Sequence, residues 1–176
     1  MEKKLLEELY DRFGREIYRY LSALCGNRLT AEDIMQEVFC KALISLPSSH
    51  VNARAWLYMV GRNLLYNEMK KRRRELYAEN MEMEQAQSDN GGAYDGNDEN
   101  PEQRTIQKEE SEMLTRAMLS LDPRKREILT LAYFEHFTLK EAAAIMGISY
   151  ENARILNMRA KKELRRNMEV NGYEIS

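Results

Sequence analysis

Two stretches of helix-period hydrophobicity, each ending in basic residues, stand on either side of an acidic segment that has no such period. This division limits the fold of the 176-residue chain more than any single motif does. From Glu75 to Arg104 nine acidic residues accompany a single basic one, and SDNGGAYDGNDENPEQ carries too little apolar surface to offset the entropy of ordering. Each flank must therefore bury its own core. The expected architecture is all-α, two small helical domains joined by a flexible acidic linker, with boundaries at 1–75, 76–105 for the linker, 106–170, and a tail over 171–176. A linker of this length has a coil-like reach of about 30 Å and an extended limit of about 100 Å. It fixes neither the distance nor the orientation of the two halves, which is left to a partner.

Apolar residues recur at helical spacing through Leu6, Leu9, Tyr10, Phe13, Ile17, Tyr20, Leu21 and Leu24, and Gly26-Asn27 punctuates the pattern. Thr30 with Asp33 reads as a capping-box-like start of a second helix, with Ile34, Val38, Phe39, Ala42 and Leu46 inward and Pro47 as its stop. After a short polar loop from Pro47 to Asn52, a third helix is expected from about Ala53. Trp56, Met59, Val60, Leu64 and Asn67 lie near one face, and the helix runs into Lys70-Lys71-Arg72-Arg73-Arg74. Beyond the linker, Met113, Ala117, Met118 and Leu121 mark a helix that stops at Asp122. Asp122-Pro123 opens the next, with Ile128, Leu129, Leu131, Ala132 and Phe134 on its apolar side. Thr138 and Glu141 form a capping box, Gly147 supplies a left-handed turn, and Ser149 caps a last helix running to about Arg166. The ending is a helix-turn-helix pattern.

The net charge of −2 conceals a basic first flank and a nearly neutral second one, so it does not argue against nucleic acid as a partner. Cys25 and Cys40, with His50 and His136 remote from them, have neither the number nor the spacing of a zinc site, and no metal or other cofactor is expected. There is no signal-peptide core and no apolar run long enough to span a bilayer, so a reduced, cytoplasmic chain is expected. A phosphate-binding glycine loop and a nucleophile paired with a base are both missing, which argues against an enzyme.

Three segments carry recognisable chemistry. In a helix-turn-helix the second helix lies in the major groove, with early side chains on base edges and later cations on phosphates. Tyr150, Glu151, Asn152, Arg154, Ile155, Asn157, Met158, Arg159 and Lys162 hold those positions; the plainer reading is a solvated helix at the end of a bundle. Arg54, Trp56, Tyr58, Arg62 and Asn63 combine aromatic, cationic and amide groups suited to unpaired bases, and Lys70, Lys71, Arg72 and Arg73 add a sequence-independent, salt-sensitive attraction. Trp56 alone would more simply be core. On the second helix Asp33, Gln36, Glu37 and Lys41 form a polar stripe opposite Ile34 and Val38, suited to solubility or to docking. Two nucleic-acid segments in one chain suggest a protein that grips DNA at two places, as promoter recognition requires.

With these residues in view, the chain resembles the extracytoplasmic-function sigma factors, small sigma-70 relatives that retain only the second and fourth sigma regions. The acidic D-x-x-Q-E-x-F segment reads here as Asp33, Gln36, Glu37 and Phe39. The R-A-W-L-Y-x-x-x-x-N segment reads as Arg54, Ala55, Trp56, Leu57, Tyr58 and Asn63. The resemblance implies a transcription initiation factor that binds bacterial core RNA polymerase and promoter DNA, monomeric when free, with an anti-sigma protein as a further partner. It implies that Asp33, Gln36 and Glu37 dock on the polymerase clamp, that the Pro47 to Asn52 loop and Asn63 capture a base of the minus-ten element, and that the last helix reads the minus-thirty-five element. Where relatives carry a Ser-Arg pair followed by Leu in that helix, this chain has Ile155, Leu156 and Asn157. Either Leu156 replaces the buried leucine, or Ile155 and Leu156 contact thymine methyl groups. The alternative function is a stand-alone helix-turn-helix regulator, which would need a dimer to read paired half-sites; an interaction protein with vestigial DNA binding is a third reading.

Overall fold

The computed structural model describes residues 3–47, 52–80, 104–170 and 172. Residues 81–103 of the expected linker, 48–51 of the polar loop and most of the tail lie outside them. Among the described residues the chain forms seven α-helices and one π turn, with no strand. It divides into two compact units, Met1–Gly92 and Ala93–Ser176.

The first unit packs α1 (Lys3–Cys25), α2 (Arg28–Ser45) and α3 (Ala53–Asn80) against one another. Helix α1 buries Leu9, Phe13, Ile17, Tyr20 and Leu21, one stripe at 3.6-residue spacing. Gly26, at φ +65°, ends it. Helix α2 then begins three residues earlier than the capping-box reading implies. Asn27 is its cap, and the Asn27 Oδ1 accepts from the Thr30 amide at 3.1 Å. Thr30 is buried instead, and its hydroxyl accepts from Arg72 Nη1 at 2.8 Å. The Cys25 thiol donates to the Asn27 carbonyl, and burial pushes its pKa up. Asn52 caps α3 by accepting from the Ala55 amide at 3.1 Å.

The buried face of α3 is Leu57, Tyr58, Gly61 and Leu65, opposite the one expected from Trp56, Met59 and Val60. Gly61 decides this. A methyl group there would stand 3.3 Å from Val38 Cγ2 and 3.4 Å from Leu21 Cδ2, so the bare backbone of α3 is what meets the other two helices. At 100° per residue, Trp56, Asn63 and Asn67 then point away from the core. Helix α3 also continues through Leu76 and Tyr77, both exposed, to Asn80.

In the second unit α4 (Arg104–Leu119), α5 (Pro123–Leu129) and α6 (Leu139–Met146) all pack on α7 (Tyr150–Val170). Asp122 caps α5 by accepting from the Arg124 and Lys125 amides, with Pro123 at the first position. Residues Thr130–Phe134 form a π turn: the Glu135 amide donates to the Thr130 carbonyl at 2.9 Å, and the Thr130 hydroxyl donates to the Arg126 carbonyl. This wider turn changes the register after Leu131. Phe134, expected on the apolar side, is 52% exposed, and Phe137 enters the core in its place. The reciprocal capping box of Thr138 and Glu141 is present, as are the left-handed Gly147 at φ +68° and the Ser149 hydroxyl accepting from the Asn152 amide at 3.1 Å.

Candidate nucleic-acid interface

On α2 the positions opposite the core form one continuous exposed stripe. Asp33, Gln36, Glu37 and Cys40 line it and Leu29 and Ile44 stand at its ends, the latter two 74% and 84% exposed. Lys41 is exposed beside it. The stripe thus has an acidic and amide centre, with one exposed aliphatic residue at either end.

The outward face of α3 carries Trp56, Met59 and Val60, each half-buried, then exposed Asn63, Asn67 and Lys70. These residues fall at i, i+3, i+4, i+7, i+11 and i+14, so one ribbon runs from an aromatic through two amides to a cation. Met59, Val60 and Asn67 were not among the expected DNA residues. Their signal was Gly61: a glycine marking the inward face makes the opposite side the outward one. Lys71 and Arg73 are exposed; Arg72 is tied to Thr30 and pairs with Glu68 at 3.2 Å. The Arg62 guanidinium lies over the Tyr66 ring at 4.4 Å.

Tyr58 requires a correction. It is fully buried, its ring 4.9 Å from that of Tyr20, and its hydroxyl donates to Glu16 Oε2 at 3.1 Å. The same oxygen accepts from Arg54 Nε at 2.8 Å, and the Arg54 guanidinium lies over the Tyr58 ring. A ring enclosed in this way cannot stack on a base. Glu16, a residue the sequence reading passed over, instead fastens the first turns of α3 to α1. The first turns of α3, which carry Trp56, are thereby held against α1.

On α7 the buried side chains are Ala153, Asn157 and Ala160, and Leu156 is half-buried. Asn157 is therefore a second correction: it faces the core, and its Oδ1 has no hydrogen-bond partner. The opposite face exposes Glu151, Asn152, Ile155, Met158, Arg159 and Lys162. Ile155 and Leu156 are thus on different sides. Tyr150 and Arg154 flank the exposed face; Arg154 pairs with Glu151 at 3.4 Å and lies near the Tyr150 ring. The capped turn at Gly147 sets the angle at which α7 leaves α6. Lys125 on α5 pairs with Glu163 on α7, and this hydrogen bond to the carboxylate raises the lysine pKa. Among the described residues no helix is long and apolar enough to cross a membrane, and no cluster of His, Cys, Asp or Glu is placed to hold a metal ion.

Comparison with known proteins agrees with this division. Residues 9–75 match the family described as Sigma-70 region 2, and residues 111–164 match Sigma-70, region 4. The chain is 31% identical to the ECF RNA polymerase sigma factor SigM of Bacillus subtilis over 91% of its length and 93% of the relative's. It is also 31% identical to the RNA polymerase sigma factor YlaC of the same organism, over 93% and 91%. The fold is shared with the sigma factor RpoE of Bartonella quintana, solved in complex with the anti-sigma factor NepR, at a TM-score of 0.69 and 24% identity over 96% of this chain and 99% of that one. The family matches, the relatives that span nearly the whole chain and the shared helical fold all converge, and the protein belongs to the extracytoplasmic-function sigma factors of the sigma-70 family.

Proposed function

We propose that this sigma factor divides its work between three exposed helix faces. The α2 stripe of Asp33, Gln36 and Glu37 docks on the clamp of core RNA polymerase. The outward ribbon of α3, with Trp56 and Asn63, captures minus-ten bases as the duplex opens, with Arg62 on its flank, while Lys70, Lys71, Arg72 and Arg73 engage the backbone. Arg54 acts from the Glu16 anchor. Helix α7 enters the major groove of the minus-thirty-five element with Tyr150, Glu151, Asn152, Arg154, Ile155, Met158, Arg159 and Lys162. Tyr58 and Asn157 leave the contact set because they are core residues.

The observation that carries this reading is the order of two sigma-region matches, each on its own compact helical unit with an exposed basic or amide face. The proposed boundaries are 1–75, 76–105 and 106–170, with α3 running on to Asn80 and α4 beginning at Arg104, both within the segment between the units. The acidic segment between the units lowers the free chain's attraction to DNA, so promoter binding awaits the polymerase. The protein works in the cytoplasm, performs no bond chemistry itself, and is monomeric when free. An anti-sigma protein holds it in reserve, as NepR is bound to RpoE.

Photo-crosslinkers installed at Asn63 and at Arg159 test the assignment in a promoter-bound holoenzyme. The expected adducts are at the minus-ten element for position 63 and at the minus-thirty-five element for position 159. Adducts in the reverse order, or at Arg159 alone, would exclude it.

A further inference from the structure

The outward face of α7 is not uniformly polar. Taking Ile155 as the reference at 100° per residue, buried Asn157, Ala153 and Ala160 lie within about 40° of the opposite side. Ile155 is therefore at the centre of the outward face, 41% exposed, and Met158 stands 64% exposed less than one turn further on. Single exposed aliphatic residues are ordinary on protein surfaces. Two together, at the centre of a helix face bordered by Arg154, Arg159 and Lys162, are not what solubility favours. The basic border selects a polyanion as the occupant, and the apolar centre then has to meet something apolar inside a polyanion's groove. In the major groove the one such group is the C5-methyl of thymine.

We propose that Ile155 and Met158 are specificity-determining residues that read thymine methyl groups in the minus-thirty-five element. The inference rests on the reading of α7 as the groove-entering helix. Leu156 takes no part, because it turns toward the core. Arg159 and Lys162, one and two turns on from Ile155, hold the phosphates on either side and fix the depth at which the aliphatic pair sits.

The test uses holoenzyme assembled from full-length protein and bacterial core polymerase. The minus-thirty-five sequence is first selected from a duplex library randomised upstream of the start site. Each selected thymine is then replaced singly by deoxyuridine, which removes the methyl group and leaves every hydrogen-bonding edge unchanged. The expected result is a loss of about fourfold in affinity at one or two adjacent thymines, the factor corresponding to one buried methyl group. Ile155→Ala is expected to abolish the thymine preference at one of these positions, and Met158→Ala at the other or to reduce it at the same one. Selection of an element without thymine, deoxyuridine scans without effect, or a methyl dependence retained in both variants would overturn the inference. Arg159→Ala with Lys162→Ala separates this failure from that of the underlying reading. If the charge variants bind the minus-thirty-five duplex as tightly as wild type at low salt, α7 is not the groove helix and both fall.

Discussion

An asparagine inside a small helical core must shed its hydration, and Asn157 does so without a donor for its Oδ1. Replacing it with leucine, of similar size, is expected to stabilise the second unit by about 1–2 kcal/mol in urea unfolding. Minus-thirty-five affinity is expected to stay unchanged. Reduced DNA affinity with unchanged stability would return Asn157 to the groove surface. Residue type and position part company here for a physical reason: a polar side chain in the early turns of a recognition helix is indistinguishable, in one sequence, from one that points inward. Tyr58 misleads in the same way. Its aromatic ring beside Arg54 resembles a stacking platform, but its partner Glu16 is 42 residues away and on another helix. Exposed Asp33, Gln36 and Glu37 were legible in position because they fall opposite the well-marked apolar stripe of α2.

Helix ends were the most legible elements. Asp122-Pro123, the Thr138 and Glu141 box, Gly147 and Ser149 each use a local hydrogen bond that three or four residues specify. The π turn at Thr130–Phe134 was not legible, because an i to i−5 backbone bond requires no particular side chain. The facing of α3 was misread because half-buried Trp56, Met59 and Val60 outweigh a glycine on any hydrophobicity count, although the glycine is the point of closest approach. Gly61→Val is expected to cost about 1–3 kcal/mol by overpacking against Val38 and Leu21, read from the denaturant midpoint of the first unit. In the second unit, the raised Lys125 pKa means that its pairing with Glu163 stabilises the fold fully below the ordinary lysine value of 10.5. That contribution is lost as pH rises through the folded value. Thermal unfolding followed from pH 9 upward should therefore show an alkaline decline that Glu163→Gln makes shallower; identical slopes would remove the pair from the unit's stability.

Across the whole molecule, the charge distribution and the break in apolar periodicity were enough to separate two helical halves, because neither half can borrow a core across an acidic, apolar-poor segment. The motif order Asp33, Gln36, Glu37 and then Arg54, Trp56, Asn63 was enough to indicate the family, which the full-length relatives establish. Which face of α7 is exposed needed the packing, since only burial separates Ile155 from Leu156 and Asn157. In the proposed function polymerase docking underlies every other role, because two units with separate DNA faces can be set at promoter spacing only by a shared partner. The direct measurement is fluorescence anisotropy of the labelled full-length chain titrated with bacterial core RNA polymerase, comparing wild type with an Asp33→Lys, Glu37→Lys variant. Wild type is expected to bind, and the variant, still helical by circular dichroism, to bind at least about tenfold more weakly, because two reversed charges meet a surface complementary to the originals. A folded wild type that does not bind, or a variant that binds as tightly, would contradict the assignment of α2 as the polymerase-docking helix.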